Sequence, residues 1–429
     1  MTTTTTSPRK GAIVTFWSKL GPGLITGAAD DDPSGIATYS QVGAQFGYAI
    51  GWTMLFSYPL MVAIQEISAR IGRVTGRGIA ANLRRHYPLP LLYAMVVLLL
   101  VANIINLGAD LGAMGDALDL VVGGSYRAVY VVVFAVLCAA LQIFSRYERY
   151  VMILKWSTLV LFAYVAAAIV SHIPWGTVAV RVFLPAPTLN KDYLLAIVAI
   201  LGTTISPYMF FWQSSEEAEE ERIDPNQKPL IEDGRDANKQ MRRIEYDTYI
   251  GMALSNVIGL FIIVTTAATL HAHGHTDIQS SSQAAEALRP LAGNLAFLLF
   301  ALGIVGTGLL AVPVLAGSAA YAAGEALRWK VGLGRLPHEA KAFYGLIAVA
   351  TLIGIAINFV HIDPIKALYW SAVLNGIIAA PLMVVMMLMT ANSKVMGRFT
   401  LHWGLKSVGW IATLVMTVTA LALIGSWLI

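Results

Sequence analysis

Apolar residues run in windows of about twenty along nearly the whole chain, the length a helix needs to cross roughly 30 Å of hydrocarbon. The windows predict spans near 20–47, 49–69, 89–112, 126–144, 150–171, 193–215, 244–270, 291–326, 343–359, 364–390 and 408–428. Eleven spans leave no room for a sizeable soluble domain, and the fold class expected is an all-α membrane protein.

Two of these windows are interrupted by polar residues where an unbroken helix gives no place for them. In the first span, Asp30-Asp31-Asp32-Pro33-Ser34-Gly35 stands between apolar stretches from Gly21 to Ala29 and from Ile36 to Tyr48, with Gly21-Pro22-Gly23 at its start. Three carboxylates and a Pro-Ser-Gly breaker near mid-bilayer imply that the backbone unwinds. Unwinding exposes free carbonyls and two oppositely polarised half-helix ends to a cavity, a device with which transporters hold ions. An acidic run capping an ordinary surface helix is the plain alternative, and the apolar flanks on both sides oppose it.

The sixth span repeats the device: Leu194 to Gly202 is apolar, Thr203-Thr204-Ile205-Ser206-Pro207-Tyr208 interrupts it, and Met209 to Gln213 resumes. A proline kink alone is common in membrane helices. Two interrupted helices five spans apart point instead to an inverted five-plus-five repeat with substrate bound where the breaks meet. The expected organisation is a tail over 1–18, a first repeat over 19–171, an outer loop over 172–192, a second repeat over 193–390, and a loop plus eleventh helix over 391–429.

Composition agrees with the pattern. Of 429 residues, 57% are hydrophobic and 13% charged, and the mean hydropathy of +0.67 leaves too little polar surface to clothe a soluble globule. The net charge of +4 suggests an anionic partner only until the basic residues are mapped. With the N-terminus inside, 24 of the 29 Lys and Arg fall in inner segments, and only Arg127, Arg181, Lys191, Arg289 and Lys366 fall outside. The positive-inside rule selects that orientation, a multi-pass protein of the inner (cytoplasmic) membrane. Met1 to Lys10 lacks the apolar core of a secretory signal and reads as a cytoplasmic tail. The lone Cys138 forms no intrachain disulfide and reads as lipid-facing or packing.

The chain resembles the NRAMP family of divalent metal transporters, closest to its magnesium-transporting branch, over nearly its whole length. The resemblance is carried by Gly21-Pro22-Gly23-Leu24, Asp32-Pro33, Ile36-Ala37-Thr38, Gly43 to Tyr48 and Ser68 to Gly76, with support from Ala109-Asp110-Leu111, Ala316-Gly317, Pro381 and Met396-Gly397. It implies a LeuT-like fold and secondary import of divalent cations by alternating access. It also implies a metal site built from an Asp-Pro-Gly-Asn motif in the first break and Met-Pro-His in the sixth helix. Here those positions read Asp32-Pro33-Ser34-Gly35 and Ser206-Pro207-Tyr208. Asp32 stays as the carboxylate ligand, Gly35 replaces the amide, Ser206 replaces the thioether, and the carbonyl used three residues earlier belongs to Thr203.

The substitutions leave an all-oxygen site, with Asp31, Ser34, Gly35 and Tyr208 around Asp32, Thr203 and Ser206. Thioethers favour softer transition metals, and oxygens favour hard cations. Asp30 and Asp31 make the pocket more acidic, and Mg²⁺, which dehydrates reluctantly, is often held through its waters by a few carboxylates. The expected cargo is Mg²⁺ or Mn²⁺, with Fe²⁺ and Cd²⁺ disfavoured, and no resident cofactor beyond the transported ion. The implied partners are that ion and the lipid bilayer; nothing points to nucleic acid, and the oligomeric state is not legible. For coupling, the resemblance implies a histidine where Tyr208 stands, an acidic residue at Asp110, and a glutamate where Ala113 stands. Proton co-transport and potential-driven facilitated transport both stay open.

Other polar residues carry plainer readings. Asp110, Asp30 and Asn375 are second-tier candidates near the site. Asp116 reads as a helix cap near the outer end of the third span, Glu66 pairs with Arg70 at helical spacing, and Glu216 to Glu221 reads as a solvated helix face. His271, His273 and His275 alternate in an outer loop, a spacing that collects metal weakly or is incidental. Met383, Met386, Met387 and Met389 spread around their helix as packing. Two other classes fit the residues less well. A cation channel needs a symmetric lining or carbonyl filter, and no filter sequence is present. An intramembrane aspartyl protease finds only fragments in Gly115-Asp116 and Tyr246-Asp247, and it leaves both broken helices without a purpose.

Overall fold

The computed structural model describes residues 26–27, 29–144, 157–188, 190–224, 227–360 and 363–428, with the side chains of 157 and 158 left aside. The expected tail over 1–18, the Gly21-Pro22-Gly23 start, and the segment holding Arg146, Arg149 and Lys155 lie outside the described residues. All regular structure among the described residues is helical. In chain order the main helices are α1 (Pro33–Phe46), α2 (Trp52–Thr75), α3 (Ile79–His86), α4 (Leu89–Val122), α5 (Arg127–Phe144), α6 (Phe162–Val170) and α7 (Trp175–Phe183). They continue with α8 (Lys191–Thr204), α9 (Pro207–Ile223), α10 (Ala237–Thr269), α11 (Ala296–Leu327), α12 (Lys341–Ile357), α13 (Pro364–Ala391) and α14 (Trp403–Leu428).

Each expected span meets one of these helices or a pair of them. Among the described residues seven stretches are long and apolar enough to cross a bilayer alone, and two bent pairs raise the number to nine. The ninth span, α12, falls short only because it has 17 residues. The 172–192 segment, expected as a loop, contains α7, bent 117° from the helix before it. Its Val178 and Val182 are buried with Ile173 and Val264, so an apolar face pins the segment down as a helix.

α4 and α11 form the central packed pair, α13 lies against α4 and α8, and α10 lies against α1 and α2. Close approach at the centre depends on small residues, as membrane helix interfaces commonly do. A Cβ at Gly202 would stand 2.0 Å from the Ala372 carbonyl oxygen and 2.4 Å from the Gly376 nitrogen, so α8 crosses α13 backbone to backbone.

The two interruptions are real and alike in construction. Residues 29 and 30 are helical, Asp31 and Asp32 are not, and α1 restarts with Asp32 as N-cap (φ −68°, ψ 170°) and Pro33 in its first turn. α8 ends at Thr204, Ile205 and Ser206 leave the helical path (ψ 57° and 131°), and α9 restarts at Pro207. The prolines therefore start helices rather than kink them. Proline suits that position because its missing N–H is one the first helical turn leaves unpaired anyway.

Candidate functional site

Asp32 is the best-connected side chain at the crossing. Its Oδ1 accepts from the Ser34 hydroxyl and the Gly35 amide, both at 2.7 Å, the expected behaviour of an N-cap aspartate. Its Oδ2 faces away from its own helix and accepts from Asn106 Nδ2 of α4 at 3.2 Å. The Tyr208 hydroxyl of α9 lies 3.4 Å from the same oxygen and donates to the Ala29 carbonyl at 3.0 Å. The residue after the Ser206-Pro207 break thus reaches across to both sides of the first break.

The sixth-span break supplies oxygens from a second direction. The Thr203 hydroxyl is buried and makes no hydrogen bond among the described residues; it lies 3.3 Å from where a Cβ on Gly35 would stand. Gly35 is therefore one of the points at which the two broken helices touch. The Ser206 hydroxyl turns back on its own chain, 2.9 Å from the Thr203 carbonyl and 2.8 Å from that of Gly202. It occupies the two carbonyls that the broken helix end leaves free.

The neighbouring carboxylates face elsewhere. Asp30 and Asp31 both turn to Ser255 of α10, with oxygen separations of 2.5 and 3.0 Å. Asp110 of α4 is fully buried within electrostatic reach of Asp32. Its carboxylate lies toward the Ser34 amide without hydrogen-bond geometry. Asn375 of α13 is buried with an unpaired Nδ2, one turn beyond Ser371, whose hydroxyl lies 2.7 Å from Asn106 Oδ1.

Asp30, Asp31, Asp32 and Asp110 are each at most 2% exposed. Among the described residues none of them pairs with a Lys or Arg. Buried anionic groups are costly unless paired or coordinated to a metal, so this cluster suits a cation arriving from outside.

Asn106, Ser371 and Ser255 carry no signal in the sequence that sets them apart. Each is one polar residue in an apolar run, and only the packing of α4, α13 and α10 on the first break brings it into use.

Several residues outside the crossing depart from their expected roles. The glutamate run is mostly buried rather than solvated. Glu217 is fully buried and pairs with Arg243. Glu219 accepts from the Gly334 amide at 2.6 Å, the Leu333 amide at 3.2 Å and the Tyr321 hydroxyl. The start of α10 and the connection after α11 cover that face of α9, which a single-helix reading cannot anticipate. Asp116 caps nothing, because α4 runs on to Val122. The histidines do not converge: His271 bonds the Ala44 carbonyl at 2.8 Å, His273 bonds the carbonyl of Thr269 at the end of α10, and His275 is exposed. The Glu66–Arg70 pair forms as expected at 2.6 Å, Cys138 is buried packing, and the four methionines lie in the apolar core.

The family model described as natural resistance-associated macrophage protein-like, Nramp, matches residues 23–426. The divalent metal cation transporter MntH of Klebsiella pneumoniae subsp. pneumoniae is 26% identical over 419 residues, covering 95% of this chain and 94% of its own. A crystal structure of a mutant Eremococcus coleocola manganese transporter superposes with a TM-score of 0.76 at 19% identity, over 99% of this chain and 89% of that one. MhsT, solved with L-phenylalanine, superposes at 0.62 with 10% identity, over 93% and 98%. At such identities the structural likeness speaks for the fold alone, and it is the LeuT-like fold expected.

Proposed function

Since the chain belongs to the Nramp family of divalent metal cation transporters, we propose that it imports Mg²⁺ or Mn²⁺ through a site centred on Asp32. Family membership places it among multi-pass membrane transporters rather than enzymes. Asp32 Oδ2 is the anionic ligand, and Thr203 and Ser206 contribute oxygens from the sixth-span break. Ser34 and the backbone at Gly35 and Asp31 complete the wall, and Tyr208 closes it from α9. Asp110, Asp30 and Asn375 stand behind them and hold or orient water around a partly hydrated ion. The observation that carries this reading is the group of four buried carboxylates, without a basic partner among the described residues, where two interrupted helices meet.

An oxygen-only lining supports hard over soft cations. Import proceeds by alternating access, with the two five-helix halves of 19–171 and 193–390 moving against each other. The N-terminus lies on the cytoplasmic side of the inner membrane, as the distribution of Lys and Arg supports. Tyr208 in place of a histidine and Ala113 in place of a glutamate favour facilitated, potential-driven flux over proton co-transport. In proteoliposomes, metal entry should leave the lumen unacidified.

The deciding experiment is metal uptake into liposomes by the wild type, Asp32→Ala and Ser206→Met. Asp32→Ala should abolish uptake, and Ser206→Met should shift competition toward Cd²⁺. Wild-type behaviour in both variants removes the proposed site. Stronger competition by Cd²⁺ than by Mg²⁺ in the wild type removes the proposed preference.

A further inference from the structure

The amide of Asn106 lies between the metal-site carboxylate and α13. Its Nδ2 is 3.2 Å from Asp32 Oδ2. Its Oδ1 is 2.7 Å from the Ser371 hydroxyl, which is itself 2.7 Å from the Leu368 carbonyl. Asn106 is wholly buried and Ser371 is 2% exposed.

Ser371 has one hydroxyl proton and two acceptors at equal distance. When the proton goes to Asn106 Oδ1, the amide presents its N–H to Asp32. When it goes to Leu368 instead, the serine oxygen is free to accept, and the amide can turn over so that Nδ2 donates to Ser371 and Oδ1 faces Asp32. The two ends of a side-chain amide occupy nearly identical positions and are told apart only by the bonds they make. In the first arrangement every polar atom named here has a partner. In the second, Oδ1 faces a carboxylate, which is unfavourable until a cation stands between them.

We infer that Asn106 is a metal ligand that turns its amide over: it donates to Asp32 in the empty site and offers Oδ1 to the ion in the loaded one, with Ser371 as the proton-bearing pivot. This rests on Asp32 being the primary ligand. It also accounts for Gly35, since an amide oxygen from α4 supplies what that position does not, without filling the contact between the two broken helices. A neutral amide oxygen is a hard ligand of the kind Mg²⁺ and Mn²⁺ accept. With Asn106 loaded, α4 and α13 both bear on the ion, so binding ties the first break to helices outside it.

The test is Mn²⁺, Mg²⁺ and Cd²⁺ binding to the purified full-length protein in nanodiscs, by titration calorimetry. Asn106→Leu keeps the branching and the number of heavy atoms and removes both polar ends. It should weaken Mg²⁺ and Mn²⁺ by at least about tenfold and Cd²⁺ by clearly less, because the lost ligand is hard. Asn106→Asp keeps an oxygen and should keep Mg²⁺ binding. Ser371→Ala should shift the same ratio in the same direction by a smaller factor, and it decides the matter if Asn106→Leu does not fold.

Wild-type affinity in Asn106→Leu overturns the inference. So does equal weakening of Mg²⁺ and Cd²⁺, the signature of a residue that only positions Asp32, and so does Asn106→Asp binding as poorly as Asn106→Leu. Undiminished binding in Asp32→Ala is a separate failure, that of the site itself.

Discussion

Replacing Gly35 with alanine places one Cβ 3.2 Å from the Asp30 carbonyl oxygen and 3.3 Å from the Thr203 hydroxyl. Both contacts are a few tenths of an ångström too tight, one neighbour is backbone, and the other is a side chain that can rotate. Overpacking of this kind costs about 1–3 kcal/mol, and a single Cβ belongs near the lower end. At about 1.4 kcal/mol per tenfold, Gly35→Ala should weaken Mn²⁺ binding roughly fivefold. Gly35→Asn restores the family's amide but must fit a whole side chain, and at about 3 kcal/mol the loss exceeds a hundredfold. Adding Thr203→Ala removes one of the two obstructing atoms, so the double variant Gly35→Asn with Thr203→Ala should lose less than the two single losses combined. Calorimetric Mn²⁺ titration of the wild type, the singles and the double variant measures this coupling. Wild-type affinity in Gly35→Ala, or strict additivity in the cycle, would show that Gly35 and Thr203 do not share the space described.

Arg243→Ala leaves Glu217 buried without its partner, which should cost about 3–5 kcal/mol of stability. Adding Glu217→Gln should return most of it; thermal unfolding in detergent reads both, and an Arg243→Ala melt identical to wild type refutes the pairing. Tyr208→Phe deletes the hydroxyl that reaches Ala29 and Asp32. At about 1–3 kcal/mol for an abandoned buried acceptor, Mn²⁺ uptake into proteoliposomes should fall by about tenfold, and unchanged uptake would mean that the contact has no part in the site.

The two breaks were legible because they violate a strong rule: polar, proline-bearing segments do not sit in lipid without a purpose. Asp32, Thr203, Ser206 and Tyr208 lie at those violations, but their roles at a metal site came from the resemblance to the family's two motifs. Asn106 could not, since one asparagine in an apolar helix signals only a polar contact somewhere, and its partners come from residues 74 positions earlier and 265 later. The glutamates after the sixth span misled for the complementary reason. Their density resembles a solvated face, but whether such a face meets water depends on what covers it, here the start of α10 and the turn at Leu333 and Gly334. α7 was hidden because nine residues with one apolar side look much like a connecting loop when read singly.

The short joint at Ile205 and Ser206 separates two sets of attachments. On one side α8 is keyed into α13 through Gly202. On the other, α9 is fastened to α2, where Gln65 and Ser68 donate to the Met209 and Phe210 carbonyls at 3.2 and 2.5 Å. Ile79 just beyond α2 donates to the Ser214 hydroxyl at 3.2 Å. Any displacement of one set relative to the other would fall on two residues that already lie outside any helix, and would break no turn of α8 or α9. The proposed alternating access would then have its axle at the level of the proposed metal site.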